Sequence, residues 1–310
     1  NIAEFVIYIN MLTWPIASVG WVMALVQRAA ASQKRIDEFL NVKPDITSAS
    51  SASIVVAGEI EFKKVSFTYP STGIKALKQI SFIVKKGHRM AVIGRTGSGK
   101  STLGQLLVRM YDPDEGEILI DGVNIKSLNL PALRRQVGYV SQDVFLFSDT
   151  VFNNIGFGMN ASEMDAESVK TAATYAVVHQ DVLQLPEQYE TVVGERGITL
   201  SGGQKQRISI ARALIKEPQI LVFDDCLSAV DAQTEKNILG YLNDFLQNRT
   251  TIIITHRIFS LFNFDQIIVI DDGQIIEQGN HQSLMKRRGA YFDLFEKQQS
   301  EERKATAPVE

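Results

Sequence analysis

Short apolar runs recur along the second half of the chain. The runs QILVF (219–223), TIII (251–254) and IIVI (267–270) are continuous rather than alternating. Such runs are typical of strands that are buried on both faces, as in a parallel sheet covered by helices. They therefore predict a parallel core sheet.

A different pattern occupies the residues that precede this core. Between 60 and 69 apolar residues alternate with polar ones, as expected of half-buried strands. A second strand pair is predicted on either side of the turn Lys85–His88. Mixed segments at 101–110 and 165–184 predict helices. The fold class is therefore α/β, with an antiparallel portion before the parallel sheet.

The N-terminal segment is apolar in another way. Phe5–Val26 comprises 22 residues without a formal charge, and about 20 suffice for a helix to cross a bilayer. Asn10 and Pro15 interrupt this segment, and Trp14 and Trp21 lie well inside it, which disfavours a helix that faces only lipid. We predict a membrane span packed against other helices. A buried helix of a soluble core is the alternative.

The charges beside this segment predict its orientation. Only Glu4 precedes it, whereas Arg28, Lys34 and Arg35 follow it. Under the positive-inside rule, the C-terminal side is cytoplasmic. We expect a location in the cell membrane, inner or plasma, with several spans in a longer protein, because the chain begins with Asn rather than Met.

Composition shifts suggest four parts. Residues 1–40 form the predicted span and its polar, helix-favouring extension, and residues 41–57, rich in Ser and Ala, form a linker. Residues 58–298 form the globular domain. The polar segment 299–310 is predicted to be a flexible tail.

Net charge and cysteine content exclude some classes. The formal net charge is −3 and the pI about 5.9, so the chain has no strongly basic surface for nucleic acid, and no nucleic-acid partner is expected. A single cysteine, Cys226, excludes an intrachain disulfide framework and fits a reducing compartment.

A phosphate-binding motif follows the apolar run MAVI. Residues 94–101 read GRTGSGKS, which is G-x-x-x-x-G-K-[ST] between a strand and a helix. Its glycines let backbone N–H groups converge on phosphate oxygens at a helix N-terminus. The residues predicted to bind nucleotide here are Gly94, Arg95, Thr96, Gly97, Ser98, Gly99, Lys100, Ser101 and Thr102. Lys100 would reach the β- and γ-phosphates, and Ser101 would ligate Mg²⁺.

A second motif separates the chain from other P-loop proteins. Residues 200–204 read LSGGQ and precede a predicted helix. A hydroxyl and two glycines before a helix make a second anion site that the chain's own P-loop does not need. The sequence here resembles the ABC ATPases, whose signature is LSGGQ. We predict that Ser201, Gly202, Gly203 and Gln204 bind the nucleotide of a partner chain, and a P-loop kinase is excluded because it has no use for this motif.

The resemblance implies further roles. Tyr69 matches the aromatic residue that stacks on adenine, and Gln142 matches the glutamine that lies near Mg²⁺ and senses the γ-phosphate. His256 matches the histidine that contacts the γ-phosphate, and Asp231 the carboxylate that communicates across the dimer. The stretch 191–197 resembles an exporter loop that touches the coupling helices. The resemblance also implies a parallel core sheet, an antiparallel β subdomain and an α-helical subdomain after the last transmembrane helix of an exporter half-transporter.

Two aspartates close the run QILVF. By resemblance, Asp224 holds Mg²⁺ through the water shell of the metal, together with Ser101 and Gln142. Asp225 stands where the family usually has a glutamate that polarises the attacking water. Aspartate is one methylene shorter and retracts the carboxylate by about 1.5 Å. We therefore expect ATP and Mg²⁺ to bind and hydrolysis to be slow.

The shorter carboxylate allows two assemblies. In heterodimeric exporters of this family, one half carries aspartate here and supplies the weak site. The intact signature of this chain fits that half, whereas the intact His256 fits it less well. We favour a heterodimer with a second half-transporter, and a homodimer with two slow sites is the alternative.

Three functions remain to be compared. We favour an ATP-driven motor that exports a small hydrophobic or amphipathic substrate, a drug or a lipid, and works in contact with membrane lipid. The second is a nucleotide-gated clamp or regulatory half, which Asp225 favours. The third is a soluble ABC ATPase acting on nucleic acid or ribosomes, which the acidic pI disfavours.

Overall fold

A computed structural model describes most of the chain. The described residues are 2–48, 55–160, 162–194, 197, 200–226, 232–256 and 263–306. They fall into two compact units, 1–47 and 48–310. The predicted boundaries at 41, 58 and 299 stay predictions, although the first two lie near this division.

The first unit is dominated by one helix. Helix α1 (Ile2–Leu40) runs through the apolar segment and its polar extension without a break, with Pro15 inside it. An 18-residue window reaches a mean hydropathy of 1.5, and none of that window is buried. A core helix of a soluble protein is mostly buried, so its exposure favours the span. Length and composition make α1 capable of crossing a membrane.

The second unit contains ten strands and nine α-helices among the residues that the structure describes. The strands are β1 (Ile60–Thr68), β2 (Lys75–Val84), β3 (Arg89–Gly94), β4 (Glu115–Ile120), β5 (Val123–Asn124), β6 (Val137–Val140), β7 (Ile220–Asp224), β8 (Thr250–Thr255), β9 (Gln266–Asp271) and β10 (Gln274–Gly279). The helices are α2 (Lys100–Leu107), α3 (Leu130–Gln136), α4 (Val151–Gly156), α5 (Ala166–Tyr175), α6 (His179–Leu183), α7 (Gly202–Leu214), α8 (Ala232–Phe245), α9 (His281–Arg287) and α10 (Ala290–Thr306).

The core sheet has the order β10-β9-β3-β8-β7-β6, and only β9 and β10 pair antiparallel. Both faces of β7 are buried, as its apolar run predicts. Leu221 and Phe223 pack with the helices α4 to α8, whereas Ile220 and Val222 pack with α2 and the second sheet. The sheet therefore separates two apolar cores.

The second sheet is antiparallel, with the order β2-β1-β4-β5. The predicted pairing across the turn Lys85–His88 is wrong, because β2 lies in this sheet and β3 in the other. Burial explains the difference. Exposed and buried residues largely alternate along β2, as in a strand covered on one face, whereas β3 is buried almost throughout.

The helical segments differ from the predictions in their limits. The helix predicted at 165–184 is two helices, α5 and α6, and Val177 between them has a φ of 55°. Helix α2 ends at Leu107, before the predicted 110. Helix α10 extends to Thr306, inside the segment predicted to be a flexible tail.

An acidic anchor fixes the start of the globular domain. The carboxylate of Asp121 accepts hydrogen bonds from the backbone N–H groups of Ala57, Gly58 and Glu59, at 2.6 to 3.3 Å. Three donors that converge on one carboxylate hold this backbone against the turn between β4 and β5. Asp121 therefore ties residues 57–59 to the antiparallel sheet just before β1.

Candidate nucleotide-binding site

The P-loop lies between β3 and α2, as its motif predicts. Gly97 and Gly99 have φ values of 81° and 97°, which favour glycine. A Cβ at Gly99 would lie 2.3 Å from the carbonyl oxygen of Ala76, and a Cβ at Gly94 would lie 2.1 Å from that of Ile270. The loop therefore requires glycine for its backbone conformation and for its close packing on β2 and β9.

Lys100 begins α2 with its side chain folded onto the loop. Its Nζ donates hydrogen bonds to the carbonyl oxygens of Gly94 at 2.9 Å and Arg95 at 2.7 Å. Burial lowers the pKa of Lys100, and the nearby Asp225 and Asp224 partly oppose this shift. A cation held over a glycine-rich loop is suited to bind an anionic phosphate.

Asp224 ends β7 and is almost completely buried. The hydroxyl of Ser101 donates to its Oδ1 at 2.9 Å, and the hydroxyl of Tyr139 donates to its Oδ2 at 3.0 Å. Burial raises the pKa of Asp224, and these two hydrogen bonds oppose the shift. Burial, then the charge of Asp224, raises the pKa of Tyr139, which stays a donor. Sequence reasoning missed Tyr139, which carries no motif signal.

Asp225 and His256 lie side by side. Nδ1 of His256 is 3.0 Å from Oδ1 and 3.1 Å from Oδ2 of Asp225. The histidine side chain is 49% exposed and the aspartate 15%. Asp225 has a φ of 46°, and its N–H donates to the carbonyl oxygen of Ile254 at 2.8 Å. The shorter carboxylate is thus held by a neighbouring histidine.

Cys226 directly follows these two aspartates and is buried. It is 1% exposed and packs in the core formed by the helices α4 to α8. Burial raises the pKa of its thiol. The thiol is a core group and not part of the polar site.

One cavity of about 330 Å³ brings most predicted site residues together. The predicted residues that line it are Tyr69, Thr96, Gly97, Gly99, Lys100, Ser101, Thr102, Gln142, Asp224, Asp225 and His256. It is also lined by Ile74, Lys75, Ala76, Ile254, Asp272 and Gly273, which sequence reasoning missed. These residues follow no motif, because strand pairing alone brings them to the cavity.

Three predicted P-loop residues do not line the cavity. Gly94 and Arg95 offer their carbonyl oxygens to Lys100. Ser98 is 5% exposed, and its hydroxyl is a buried polar group without a hydrogen-bond partner among the described residues. These residues contribute to the conformation of the loop and not to the cavity wall.

Tyr69 is fixed at the edge of the cavity. Its hydroxyl lies 2.9 Å from Oγ1 of Thr102 and donates to Oε1 of Gln105 at 2.9 Å. Its ring packs edge-on against Phe67 and Tyr111, with centroid distances of 5.0 and 5.6 Å. These contacts tie the aromatic residue to the P-loop helix. Stacking on adenine stays a prediction.

The second anion motif begins α7 elsewhere in the domain. The hydroxyl of Ser201 accepts from the N–H of Gln204 at 3.2 Å, and the N–H of Ser201 donates to Oε1 of Gln204 at 3.0 Å, which is a capping box. Arg207 donates to both carboxylate oxygens of Asp181, at 2.8 and 3.1 Å. Ser201 and Gly202 are exposed. None of residues 201–204 lines the cavity.

Residues 77–228, which include the P-loop and this motif, match the family model described as ABC transporter. The chain belongs to the ABC transporters. The second unit has the ABC nucleotide-binding domain fold, as predicted.

Two curated ABC transporters illustrate the similarity. The probable multidrug resistance ABC transporter ATP-binding/permease protein YheI of Bacillus subtilis is 43% identical over 96% of the chain and 51% of its own length. The ATP-dependent lipid A-core flippase of Pseudomonas fluorescens is 40% identical over 95% of the chain and 49% of its own length. The chain spans about half the length of these curated relatives.

A solved ABC exporter shares this fold. The structure of a bacterial Atm1-family ABC exporter with ATP bound superposes with a TM-score of 0.84 and 37% identity. The match covers 94% of this chain and 51% of the exporter chain. The similarity therefore extends beyond the nucleotide-binding domain to α1.

The donor groups of the ABC domain fit a hydrated magnesium ion and phosphates. A hydroxyl, an amide oxygen and a carboxylate, from Ser101, Gln142 and Asp224, line the same cavity. Oxygen ligands of this kind suit Mg²⁺, which usually retains several waters and phosphate ligands. At Gly97, in the middle of the loop, a Cβ would meet no atom within 4 Å, so the space above the loop is open.

Two features that the resemblance singled out lie wholly or partly outside the described part of the ABC domain. Asp231, predicted to communicate across a dimer, and residues 195 and 196 of the predicted exporter loop 191–197 are not among the described residues. Their roles stay predictions.

A larger groove, of about 1050 Å³, lies along the antiparallel sheet of the ABC domain. Its Lys63 pairs with Glu61 at 3.4 Å and with Glu117 at 3.6 Å. It contains none of the predicted site residues. We assign the chemistry to the smaller cavity.

Proposed function

We propose that this chain is the ATP-hydrolysing motor part of an ABC exporter half-transporter. One observation carries the proposal. Lys100, Ser101, Asp224, Asp225 and His256 converge on one cavity in a domain whose signature motif lies elsewhere. That arrangement suits a chain that binds a nucleotide in its own cavity and completes the cavity of a partner.

In this proposal, each cavity residue has a role in binding or chemistry. The backbone of the P-loop and the Lys100 cation bind the β- and γ-phosphates of ATP, and the Tyr69 ring stacks on the adenine. Ser101 and Gln142 would hold Mg²⁺ together with Asp224, which would act through the water shell of the metal. A bound Mg²⁺ would supply positive charge to neutralise the phosphates.

Hydrolysis needs a base that orients the attacking water. Asp225 and His256 are the candidates, because both line the cavity and contact each other. Their contact supports slow turnover, since the short carboxylate is directed to the histidine as well as to the cavity. A positioned general base typically raises the reaction rate 10²–10⁴-fold, so displacement of the carboxylate should slow ATP hydrolysis.

The exposed signature supports an assembly of two half-transporters. The Ser201 hydroxyl accepts one hydrogen bond within α7, and its hydrogen is able to donate to a phosphate of the partner's nucleotide. Asp231 would communicate between the two sites. We propose a heterodimer whose partner has a glutamate after the magnesium-binding aspartate. A homodimer with two slow sites is the second candidate, favoured by the presence of His256 in the cavity.

The membrane location and the cargo are inferred from α1 and the relatives. Helix α1 would be the last span, with the ABC domain in the cytoplasm of a multi-pass protein in the cell membrane. Relatives named for multidrug resistance and for lipid A-core flipping support a small hydrophobic or amphipathic substrate, drug or lipid.

The deciding experiment measures ATP turnover by the full-length protein, purified alone in lipid. The wild type is compared with Asp225→Glu, and Asp225→Asn is the control without a base. We expect slow wild-type turnover and a gain of about 10- to 100-fold in Asp225→Glu, because the longer carboxylate regains its reach.

The other outcomes separate the alternatives. Brisk wild-type turnover that glutamate does not increase would show that Asp225 positions water well, and would favour the homodimer. Tight ATP binding without turnover in any variant would favour the nucleotide-gated clamp, which Asp225 supports. Failure to bind ATP at all would exclude both.

A further inference from the structure

We propose that Tyr139 is a positioning residue for the magnesium-binding carboxylate of Asp224. The proposal rests on the proposed function, since it concerns the metal that accompanies the nucleotide. Tyr139 lies on β6, outside the cavity, and reaches Asp224 from behind.

Strand register brings the two residues together. In the parallel pair β6–β7, Tyr139 is opposite Val222, and Asp224 is two residues further along β7. Residues two apart on a strand point to the same face. Tyr139, Val222 and Asp224 therefore share one face, and the tyrosine hydroxyl extends along it to Oδ2 of Asp224 at 3.0 Å.

The ring of Tyr139 is itself held in place. A Cβ at Gly104 of α2 would lie 2.8 Å from Cε2 of Tyr139 and 3.2 Å from Cγ1 of Val222. The glycine lets the P-loop helix approach the sheet over the ring. The hydroxyl therefore sits on a side chain enclosed by the helix that also carries Ser101.

Each of the two hydroxyls donates to a different oxygen of the Asp224 carboxylate. Ser101 donates to Oδ1 from the cavity side and Tyr139 to Oδ2 from the sheet side. Ser101 is also a predicted metal ligand, so it has two tasks, whereas Tyr139 has one. Tyr139 would keep the orientation of Asp224 constant when Ser101 turns to the metal, as outer hydrogen-bond partners of metal ligands do.

The test is metal affinity in the full-length protein in lipid, with Mn²⁺ as the probe and a non-hydrolysable ATP analogue present. Free and bound Mn²⁺ are measured by electron paramagnetic resonance. Tyr139→Phe keeps the ring and removes only the hydroxyl. We expect about a tenfold loss of Mn²⁺ affinity, because loss of such an outer partner typically costs 10–100-fold. Affinity for the metal-free analogue in EDTA should not change.

Tyr291→Phe is the matched control. Tyr291 is a buried tyrosine whose hydroxyl also bonds a polar side chain, since it lies 2.7 Å from Nδ1 of His281, and it does not line the cavity. It should bind Mn²⁺ like the wild type. Unchanged Mn²⁺ affinity in Tyr139→Phe, or an equal loss of metal-free affinity, would overturn the proposal. A wild type that binds no Mn²⁺ with the analogue would instead overturn the proposed function.

Discussion

The P-loop and the signature are both helix N-termini suited to anions, yet their surroundings differ. The P-loop lies in a cavity, with Lys100 beside two aspartates that close a buried strand. The signature begins α7 at the surface, and its hydrogen bonds are made within its own helix and to Asp181. The same local chemistry thus lines a cavity in one case and lies exposed at the surface in the other.

The two motifs also differ in the groups of this chain that surround them. Groups drawn from β3, β7 and α2 meet at the cavity because the parallel sheet brings their ends together. The signature has a capped helix N-terminus and an exposed serine, and none of residues 201–204 lines the described cavity. We expect mutations in the two regions to separate binding from turnover.

The largest effect is expected from Lys100→Ala. This change removes the cation that faces the phosphates, and a hydrogen bond to a charged group contributes about 1.5–3 kcal/mol, so ATP affinity should fall about 100-fold. Equilibrium binding of a fluorescent ATP analogue measures it. Lys170→Ala, on the exposed side of α5, is the control and should bind normally. Retained affinity in Lys100→Ala would mean that the loop backbone alone holds the phosphates.

A smaller effect, restricted to turnover, is expected from Ser201→Ala. Loss of a hydroxyl aimed at a partner's phosphate should lower the ATP turnover of the assembled transporter about tenfold, since a hydrogen bond to a charged group contributes about 1.5 kcal/mol at the lower end of its range. Binding to this chain's cavity should not change. Ser201→Asp retains a good helix cap, has no hydrogen to donate and should be equally slow. Recovery of turnover in Ser201→Asp would show that the serine serves only as a cap.

The smallest effect is expected from Tyr69→Phe. The ring that packs on Phe67 and Tyr111 is kept, and only the hydrogen bonds to Thr102 and Gln105 are lost. ATP affinity should change by less than about threefold, whereas Tyr69→Ala should lose about tenfold or more, within the 1–3 kcal/mol measured for base stacking. Equal losses in both variants would place the role in the hydroxyl and not in the ring.

The motifs predicted the residues that line the cavity better than the residues that hydrogen-bond to motif side chains from outside it. The P-loop spacing and the apolar run before Asp224 identified residues that line one cavity, because each motif is local in sequence. Tyr139 and Asp181 escaped notice, because each acts on a residue that is distant along the chain. Tyr139 meets Asp224 through strand register, and Asp181 meets Arg207 through the packing of α6 and α7.

The fold was predicted in the same uneven way. Continuous apolar runs identified β7, β8 and β9, since burial on both faces leaves a clear pattern. The turn at Lys85–His88 was misread as a hairpin, because two neighbouring strands with a tight turn resemble one in sequence. The turn does not determine strand pairing here, because β2 and β3 belong to different sheets.

The burial of Cys226 has a practical consequence. A thiol enclosed in the core and kept protonated does not react readily with maleimides or nitroxide reagents, because the thiolate is the nucleophile. It is the only cysteine among these 310 residues. A spin label or dye placed on a new surface cysteine of this domain would therefore report from a single position, without replacement of the native residue beside Asp224 and Asp225.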